Sequence, residues 1–221
     1  MICTSSFAPA KPQGSTPLAE AILFPSFQHI KNIPTEPQEL EHFVRAFLLP
    51  KTLHPSHSDL SEKEQAKKVL DTTLLPKWES RGLDKIQSPT ILICSHNSRD
   101  SRCGILGPLL HEEFTRYIAE QGAKISPNTG AFAPQADHVN VGMISHMGGH
   151  KWAGNVIVYI PPTYRAPGSG QKTSPLAGMG VWYGRVEPKH VQGIVEETIL
   201  KGRVIRELFR GGTKDGEILR L

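Results

Sequence analysis

Two cysteines and two histidines are spaced so that they could share one inorganic centre. Cys94 and Cys103 enclose eight residues, and His146 and His150 enclose one methionine and two glycines. Thiolates and neutral imidazoles are protein ligands of zinc and of iron–sulfur clusters. The consecutive glycines favour a tight loop over a helix, so that both imidazoles can point into one volume. The pattern therefore predicts a site with four ligands.

The spacing of these residues narrows the choice of centre. Structural zinc sites usually have about two to four residues between paired cysteines, which is a tighter knuckle than this loop. In Rieske [2Fe–2S] centres two histidines replace two cysteines, so an iron–sulfur cluster is compatible with the set. Rieske proteins also use a C-x-H pair, which Cys94-Ser95-His96 reproduces. His96 is therefore a competing ligand, and a structural zinc module stays an alternative.

The loop after Cys94 also suggests sulfur chemistry without a metal. A cysteine phosphatase needs one residue more than the four that separate Cys94 from Arg99, so that class is excluded. Four residues suit a rhodanese-like persulfide loop, although this loop has no glycine to direct backbone amides at an anion. A C-x-x-C motif is absent, but Cys94 and Cys103 could still form a disulfide. Sulfur transfer and thiol oxidoreduction thus remain alternatives.

The candidate ligands stand beside the predicted elements of an α/β fold. Residues 90–94 form a short apolar run typical of a buried central strand. A helix is predicted over 105–121, with Gly122 just past its end. Further strands are predicted at 138–144, 155–160 and 180–186, and a helix at 188–202. This order predicts a small mixed sheet flanked by helices, with both ligand pairs at one edge.

The first 85 residues predict a separate, incomplete unit. Residues 1–20 are rich in Ser, Thr and Pro and are predicted to be mobile. Residues 21–85 are predicted to be the mostly helical remnant of an N-terminal domain, with a strand at 21–24 and helices at 36–48 and 61–75. The α/β domain is predicted to occupy residues 86–221.

Composition and charge limit the possible partners. The net charge of +4 comes from 25 basic and 21 acidic residues that are interspersed, which gives no basic arm for nucleic acid. The apolar runs are far shorter than the roughly 18 residues of a membrane span. Three cysteines are too few for a disulfide framework and favour a reducing compartment.

Four segments carry a resemblance to a known family. They are 92–96, 102–108, 146–151 with its H-x-G-G-H pattern, and 182–186. On these segments the chain resembles the fungal altered inheritance of mitochondria protein 32 family, within the sucrase/ferredoxin-like group of thioredoxin-like [2Fe–2S] proteins. The family's further N-terminal stretch, with its own cysteine motif, has no counterpart in residues 1–20.

The resemblance implies a thioredoxin-like ferredoxin domain with a [2Fe–2S] cluster held by Cys94, Cys103, His146 and His150. It implies an electron carrier with a redox partner protein, rather than a catalyst with its own substrate. A metal-free thiol oxidoreductase using Cys94 and Cys103 is the alternative. The family name implies a mitochondrial location, with the cytoplasm as the alternative.

Seven further residues could tune such a centre. Arg99 and Arg102 place positive charge in the cysteine loop, where it would favour thiolates, unless it is only solvated loop charge. The backbone N–H groups of Gly104, Gly148 and Gly149 could approach a sulfur atom, or these glycines could only form turns. Trp152 and Trp182 could shield the centre or fill the core.

Overall fold

The computed structural model describes residues 3–9, 18–122, 124–125, 130–145, 147, 152–170 and 172–219. Over these residues the chain divides into two compact units. The large unit comprises Met1–Ala8, Phe24–Phe27 and Ile86–Leu221, and the small unit comprises Pro9–Leu23 and Gln28–Lys85.

The small unit combines an antiparallel sheet with short helices. Its described strands pair in the order β1 (Leu18–Leu23), β2 (Gln28–Pro34) and β3 (Leu83–Lys85). Its helices are α1 (Pro37–Phe47), α2 (Glu62–Ala66) and α3 (Leu75–Gly82). The sequence predicts a mostly helical unit with one strand, and the structure adds the two strands β2 and β3. The buried side chains of β2 do not alternate strictly, so its sequence lacks the period-two pattern of a strand.

The predicted continuous helix at 61–75 is wrong. The capping box of Ser61 and Glu64 does begin α2, but this helix ends at Ala66. The backbone N–H of Asp71 donates instead to the carbonyl of Arg45 at 2.9 Å. The Asp71 carboxylate then accepts the Thr73 N–H at 3.1 Å and starts a new turn that leads into α3. Tertiary hydrogen bonds have replaced helical ones.

The large unit contains a mixed sheet flanked by helices, as predicted. Its described strands are β4 (Thr90–Cys94), β5 (Lys124–Ile125), β6 (His138–Ile144), β7 (Val156–Tyr159), β8 (Met179–Tyr183), β9 (Phe209–Lys214) and β10 (Glu217–Leu219). They pair in the order β10-β9-β8-β7-β4-β6-β5. The β4–β6 and β5–β6 pairs are parallel and the others are antiparallel.

One long helix, α4 (Ser101–Glu120), packs its apolar side against the sheet. Leu110 and Phe114 of this helix are buried in one core with Ile91 and Ile93 of β4. The helix begins four residues before the predicted start because Asp100 is its N-cap and accepts the Arg102 N–H at 3.0 Å. Gly122, with φ +75°, ends it as expected.

The C-terminal part of the large unit contains a helix and a hairpin. The predicted helix at 188–202 is present as Pro188–His190, α5 (Val191–Gly193) and a wider π-helical segment, Ile194–Leu200. The hairpin of β9 and β10 was not predicted. Asp215 and Gly216 both have positive φ angles, which is the usual signature of a tight hairpin turn, so the signal was in the sequence.

The N-terminal segment of the large unit lies along the end of β6. The carbonyl of Thr4 accepts the Ser145 N–H at 2.8 Å, and the Ser6 N–H donates to the carbonyl of Met143 at 2.8 Å. Thr4 and Ser6 are thus hydrogen-bonded to the large unit, and the mobility of residues 1–20 stays a prediction. In the part of the chain that is described, no helix is both long enough and apolar enough to cross a membrane.

Candidate metal centre

Cys94 is held at the C-terminal end of the central strand. Its N–H donates to the carbonyl of Asn155 at 3.0 Å, and the N–H of Ser95 donates to Ile144 at 3.1 Å. Cys94 is the parallel register partner of Ile144, so β4 and β6 end side by side. The side chain of Cys94 is buried, with 1% exposed. Strand pairing therefore fixes this thiol at the edge where the residues after β6 also emerge.

Cys103 is held by the first turn of α4. Asp100 caps this turn, and its carbonyl accepts the Cys103 N–H at 3.0 Å. The Cys103 side chain is 2% exposed, and the thiol of Cys94 lies close enough to raise the pKa of the Cys103 thiol. Both cysteines are free. The fold thus brings together the two cysteines that the sequence predicts as ligands.

Two glycines let α4 approach the cysteine loop this closely. A Cβ on Gly107 would lie 2.6 Å from Cβ of Ser95 and 3.0 Å from the carbonyl oxygen of Cys94. A Cβ on Gly104 would lie 2.2 Å from Oδ1 of Asn97. The N–H of Gly104 donates to Asp100 at 3.2 Å, so it serves the helix rather than a sulfur atom, contrary to expectation. Close helix packing is the role of both glycines.

The Cys103 thiol is stabilised in its neutral form. Burial, followed by the adjacent Cys94 thiol, raises the pKa of Cys103 to about 12. Arg102 acts in the opposite direction but more weakly, because its guanidinium is bound to Asp100 at 3.1 and 2.8 Å. The expectation that Arg102 favours a thiolate is therefore outweighed by burial.

The two predicted histidine ligands, His146 and His150, lie outside the described residues. The residues on either side of 148–151 are described, and one side chain joins them. Nδ2 of Asn155 donates to the carbonyl of Met147 at 3.2 Å and to that of Trp152 at 2.8 Å. Because the Asn155 carbonyl also binds the N–H of Cys94, one residue connects the flanks of the histidine loop with the first thiol.

Asn155 was not among the predicted site residues. Its function depends on which backbone carbonyls the fold brings near its amide, and no spacing in the sequence reports that. The competing ligand His96 accepts the N–H groups of Arg99 and Asp100 with its carbonyl, at 3.2 and 3.1 Å. Its Nδ1 is buried. Within the described ranges, no three His, Cys, Asp or Glu side chains form a group that could hold a metal ion.

The two tryptophans differ in their surroundings. The ring of Trp152 makes cation–π contacts with the guanidinium groups of Arg185 and Arg210. Trp182 belongs to β8, where it faces Ile157 across the β7–β8 pair. Trp152 is therefore part of the edge that carries the cysteines, and Trp182 is part of the sheet.

The structure places this chain in the class of mixed α/β proteins that carry two buried thiols at one edge of the sheet. Residues 1–211 match the sequence model of the sucrase/ferredoxin-like family, and the chain belongs to that family.

Similarity to individual proteins supports the same assignment. The chain is 32% identical over 181 residues to altered inheritance of mitochondria protein 32 of Meyerozyma guilliermondii, covering 82% of this chain and 53% of the relative. It is 44% identical over 128 residues to the protein of the same name from Clavispora lusitaniae, covering 58% of this chain and 36% of the relative. The chain thus spans about half, or less, of the length of these relatives.

A solved structure is also similar. The thioredoxin-like [2Fe–2S] ferredoxin from Aquifex aeolicus aligns with a TM-score of 0.38 and 17% identity, covering 59% of this chain and 96% of that chain.

Proposed function

We propose that this protein binds a [2Fe–2S] cluster and transfers single electrons. The proposed ligands are Cys94, Cys103, His146 and His150. The observation that carries the proposal is a pair of buried thiols that a strand end and a helix start bring together at one edge of the sheet. Paired soft sulfur donors suit iron–sulfur chemistry. The thiol pair therefore fits half of the proposed ligand set, and the other half follows β6 in the sequence.

The residues of this chain would each contribute to such a site. Cys94 and Cys103 would bind iron as thiolates, and iron would have to displace the thiol proton that burial and the nearby Asp100 carboxylate keep on Cys103. Gly107 holds α4 against the strand end, and burial of both side chains keeps water away from the sulfur atoms. A bound cluster would supply a one-electron redox couple. Histidine ligation would raise its reduction potential above that of an all-cysteine ferredoxin.

The test is the iron content, acid-labile sulfide and visible spectrum of the protein purified without oxygen. We expect a red-brown protein, and we expect Cys94→Ser and Cys103→Ser to lose both iron and colour. Cys3→Ser is the matched control, because it removes the third thiol outside the ligand pair. Full wild-type absorption in either ligand variant would overturn the assignment.

The histidine ligands have their own control. His146→Ala and His150→Ala are each expected to lose iron, whereas His96→Ala is expected to keep it. Loss of iron from His96→Ala alone would instead support the C-x-H ligand pair.

Thiol oxidoreduction is a second candidate, favoured by the same pair of thiols. In that case Cys94 and Cys103 would form a disulfide, giving two electrons and two protons to a disulfide oxidant such as oxidised glutathione. The raised pKa of Cys103 opposes this function, because the attacking species is the thiolate. A colourless protein without iron or zinc, in which oxidised glutathione protects both thiols from alkylation, would favour this candidate. Zinc in place of iron would indicate a structural zinc module.

We further propose a mitochondrial location. Its support is the name of the relatives, altered inheritance of mitochondria protein 32. A fluorescent fusion of the full chain should coincide with a mitochondrial matrix or intermembrane marker. A diffuse cytoplasmic signal would contradict this location and leave the cluster proposal unaffected.

A further inference from the structure

The edge of the sheet that carries the cysteines also carries an uncompensated positive charge. The guanidinium carbons of Arg185 and Arg210 lie 4.8 and 5.2 Å from the ring centroid of Trp152, so they are at most about 10 Å apart. Both side chains are exposed. Among the described residues no carboxylate forms an ion pair with either of them, and the nearby Glu187 is bound to Lys189 at 2.6 Å. We call Trp152, Arg185 and Arg210 the arginine cluster.

The backbone holds the arginine cluster in place. Arg185 has a positive φ of 61°, and its N–H donates to Ala153 at 3.2 Å. Arg210 lies across Gly184, where a Cβ would meet Cγ of Arg210 at 3.0 Å. Stacking on the indole ring further restricts both guanidinium groups. Less side-chain entropy is therefore lost when these groups bind an anion.

An exposed apolar strip on α4 begins one turn from the same edge. Ile105 is 68% exposed and Leu109 is 48% exposed, and their spacing places them on one face of the helix. The neighbouring Leu106 lies close to Gly154, two residues after Trp152 in the sequence. Large exposed aliphatic side chains beside charged groups are typical of protein interfaces.

We propose that the arginine cluster and the Ile105–Leu109 strip form the docking surface for a redox partner protein with an acidic surface. The partner is acidic because the cluster presents two cations that no described carboxylate neutralises, and it is a protein because the strip offers apolar contact. This inference rests on the proposed electron-transfer function. Docking here brings a partner to the end of the sheet at which Cys94 and Cys103 lie, and electrostatic attraction mainly raises the association rate.

The first experiment measures binding without relying on the cluster. The probe is a fluorescein-labelled peptide in which glutamates alternate with leucines, and its control has glutamine in place of glutamate. Fluorescence anisotropy of the full chain should show binding of the acidic peptide that weakens with salt. We expect Arg185→Glu/Arg210→Glu to weaken binding at least tenfold, and Ile105→Gln/Leu109→Gln to weaken it severalfold without changing the salt dependence.

A matched control separates docking from net charge. Lys172→Glu/Lys214→Glu makes the same change in total charge; Lys214 is at the opposite end of β9 from Arg210, and Lys172 lies in the loop that precedes β8. This variant is expected to bind the peptide within twofold of wild type. Equal weakening in both double variants, or tighter binding of a labelled RNA oligonucleotide than of the peptide, would overturn the proposal.

The second experiment tests electron transfer. Film voltammetry on a carboxylate-terminated gold electrode, which replaces the acidic partner, should give a slower electron-transfer rate for Arg185→Glu/Arg210→Glu than for the lysine control. An equal rate in two variants that both contain iron would overturn the docking site alone. No redox signal in any variant, with peptide binding still lost only in the arginine variant, would overturn the proposed cluster instead.

Discussion

The two units of this protein differ in what connects their elements. In the small unit, Glu39 of α1 binds Lys77 of α3 at 2.8 Å and also Arg81. Arg45 of α1 binds Asp71 at 2.7 Å. In the large unit, the elements that carry the cysteines are connected by backbone hydrogen bonds and by close contacts at glycines.

This difference shows where precise positioning is needed. Ion pairs between half-exposed side chains tolerate small shifts and contribute little individually. Backbone hydrogen bonds and glycine contacts allow less movement, because no flexible side chain lies between the elements. The large unit therefore has the more rigid connections at the edge where a ligand set must be held.

The largest effect is expected from the core of the small unit. Trp78 is fully buried and its ring contacts those of Phe43 and Phe47, with centroids 5.7 and 5.9 Å apart. Trp78→Ala should lower the unfolding free energy of this unit by about 3–5 kcal/mol. Hydrogen exchange at the amides of β2 would measure this loss. The visible absorption should remain, because all four proposed ligands belong to the large unit.

Trp78→Phe is the control for this change. The indole N–H of Trp78 is buried without a hydrogen-bond partner among the described residues, so phenylalanine loses no hydrogen bond. The loss should then be below about 1.5 kcal/mol. Loss of iron in Trp78→Ala would show that the units do not behave separately.

A smaller effect is expected at the glycine contact of the large unit. Gly107→Ala places a methyl group against Ser95 and the Cys94 carbonyl, and α4 must shift. The unfolding free energy should fall by about 1–3 kcal/mol, and iron content should fall with it. Urea unfolding and iron analysis are the measurements.

Gly193→Ala provides the helical control. Its new methyl group would meet only Cδ1 of Ile205, at 3.6 Å. Alanine is favoured over glycine in a helix by up to about 1 kcal/mol, so this variant should be unchanged or more stable. If both variants are equally stable, the close approach at Gly107 does not position the cysteine loop.

The sequence predicted the large unit better than the small one for a physical reason. The strand at 90–94 is an uninterrupted apolar run, and its predicted bounds match β4. The strand at 138–144 matches β6 in the same way. Burial on both faces of a central strand leaves such a pattern in the sequence. In the small unit, the side chains of β1 are all partly exposed and the buried side chains of β2 do not alternate, so both strands leave a weak pattern in the sequence.

The candidate site was predictable only in part. The proximity of Cys94 and Cys103 follows from their positions at a strand end and a helix start. The roles of Asn155 and Gly107 depend on distances between elements that are remote in sequence, which spacing alone does not contain. The predicted ligation by His146 and His150 stays a prediction.

A further comparison concerns pH and the buried His29 of the small unit. Burial lowers the pKa of His29 below its ordinary 6.5, although Glu20, at 3.0 Å from Nε2, and Asp84 act against this and Lys31 acts with it. Below about pH 6.5 the unfolded chain binds a proton here that the folded chain does not. Stability of the small unit should therefore be complete above this pH and fall as the pH falls below it.

Urea unfolding of the small unit at several pH values measures this effect. His29→Gln should flatten the dependence of stability on pH below about 6.5, and His57→Gln is the control. An unchanged slope in His29→Gln would assign the dependence to other groups.

The smallest effect is expected from the ion pairs that distinguish the small unit. Hydrogen bonds from Lys77 and Arg81 lower the pKa of Glu39 to about 2, from an ordinary value of 4.5. A lowered carboxyl pKa contributes stability that is present above 4.5 and is lost as the pH falls toward about 2. Glu39→Gln should therefore be less stable than wild type near neutral pH, and this difference should disappear as the pH falls toward about 2. Exposure to solvent screens these pairs, so about 1 M NaCl should reduce the difference in stability between wild type and variant.

Glu41→Gln, on the same helix, controls for the loss of one carboxylate, and circular dichroism during acid titration is the measurement. Equal acid midpoints for the two variants would mean that ion pairs do not hold α1 to α3.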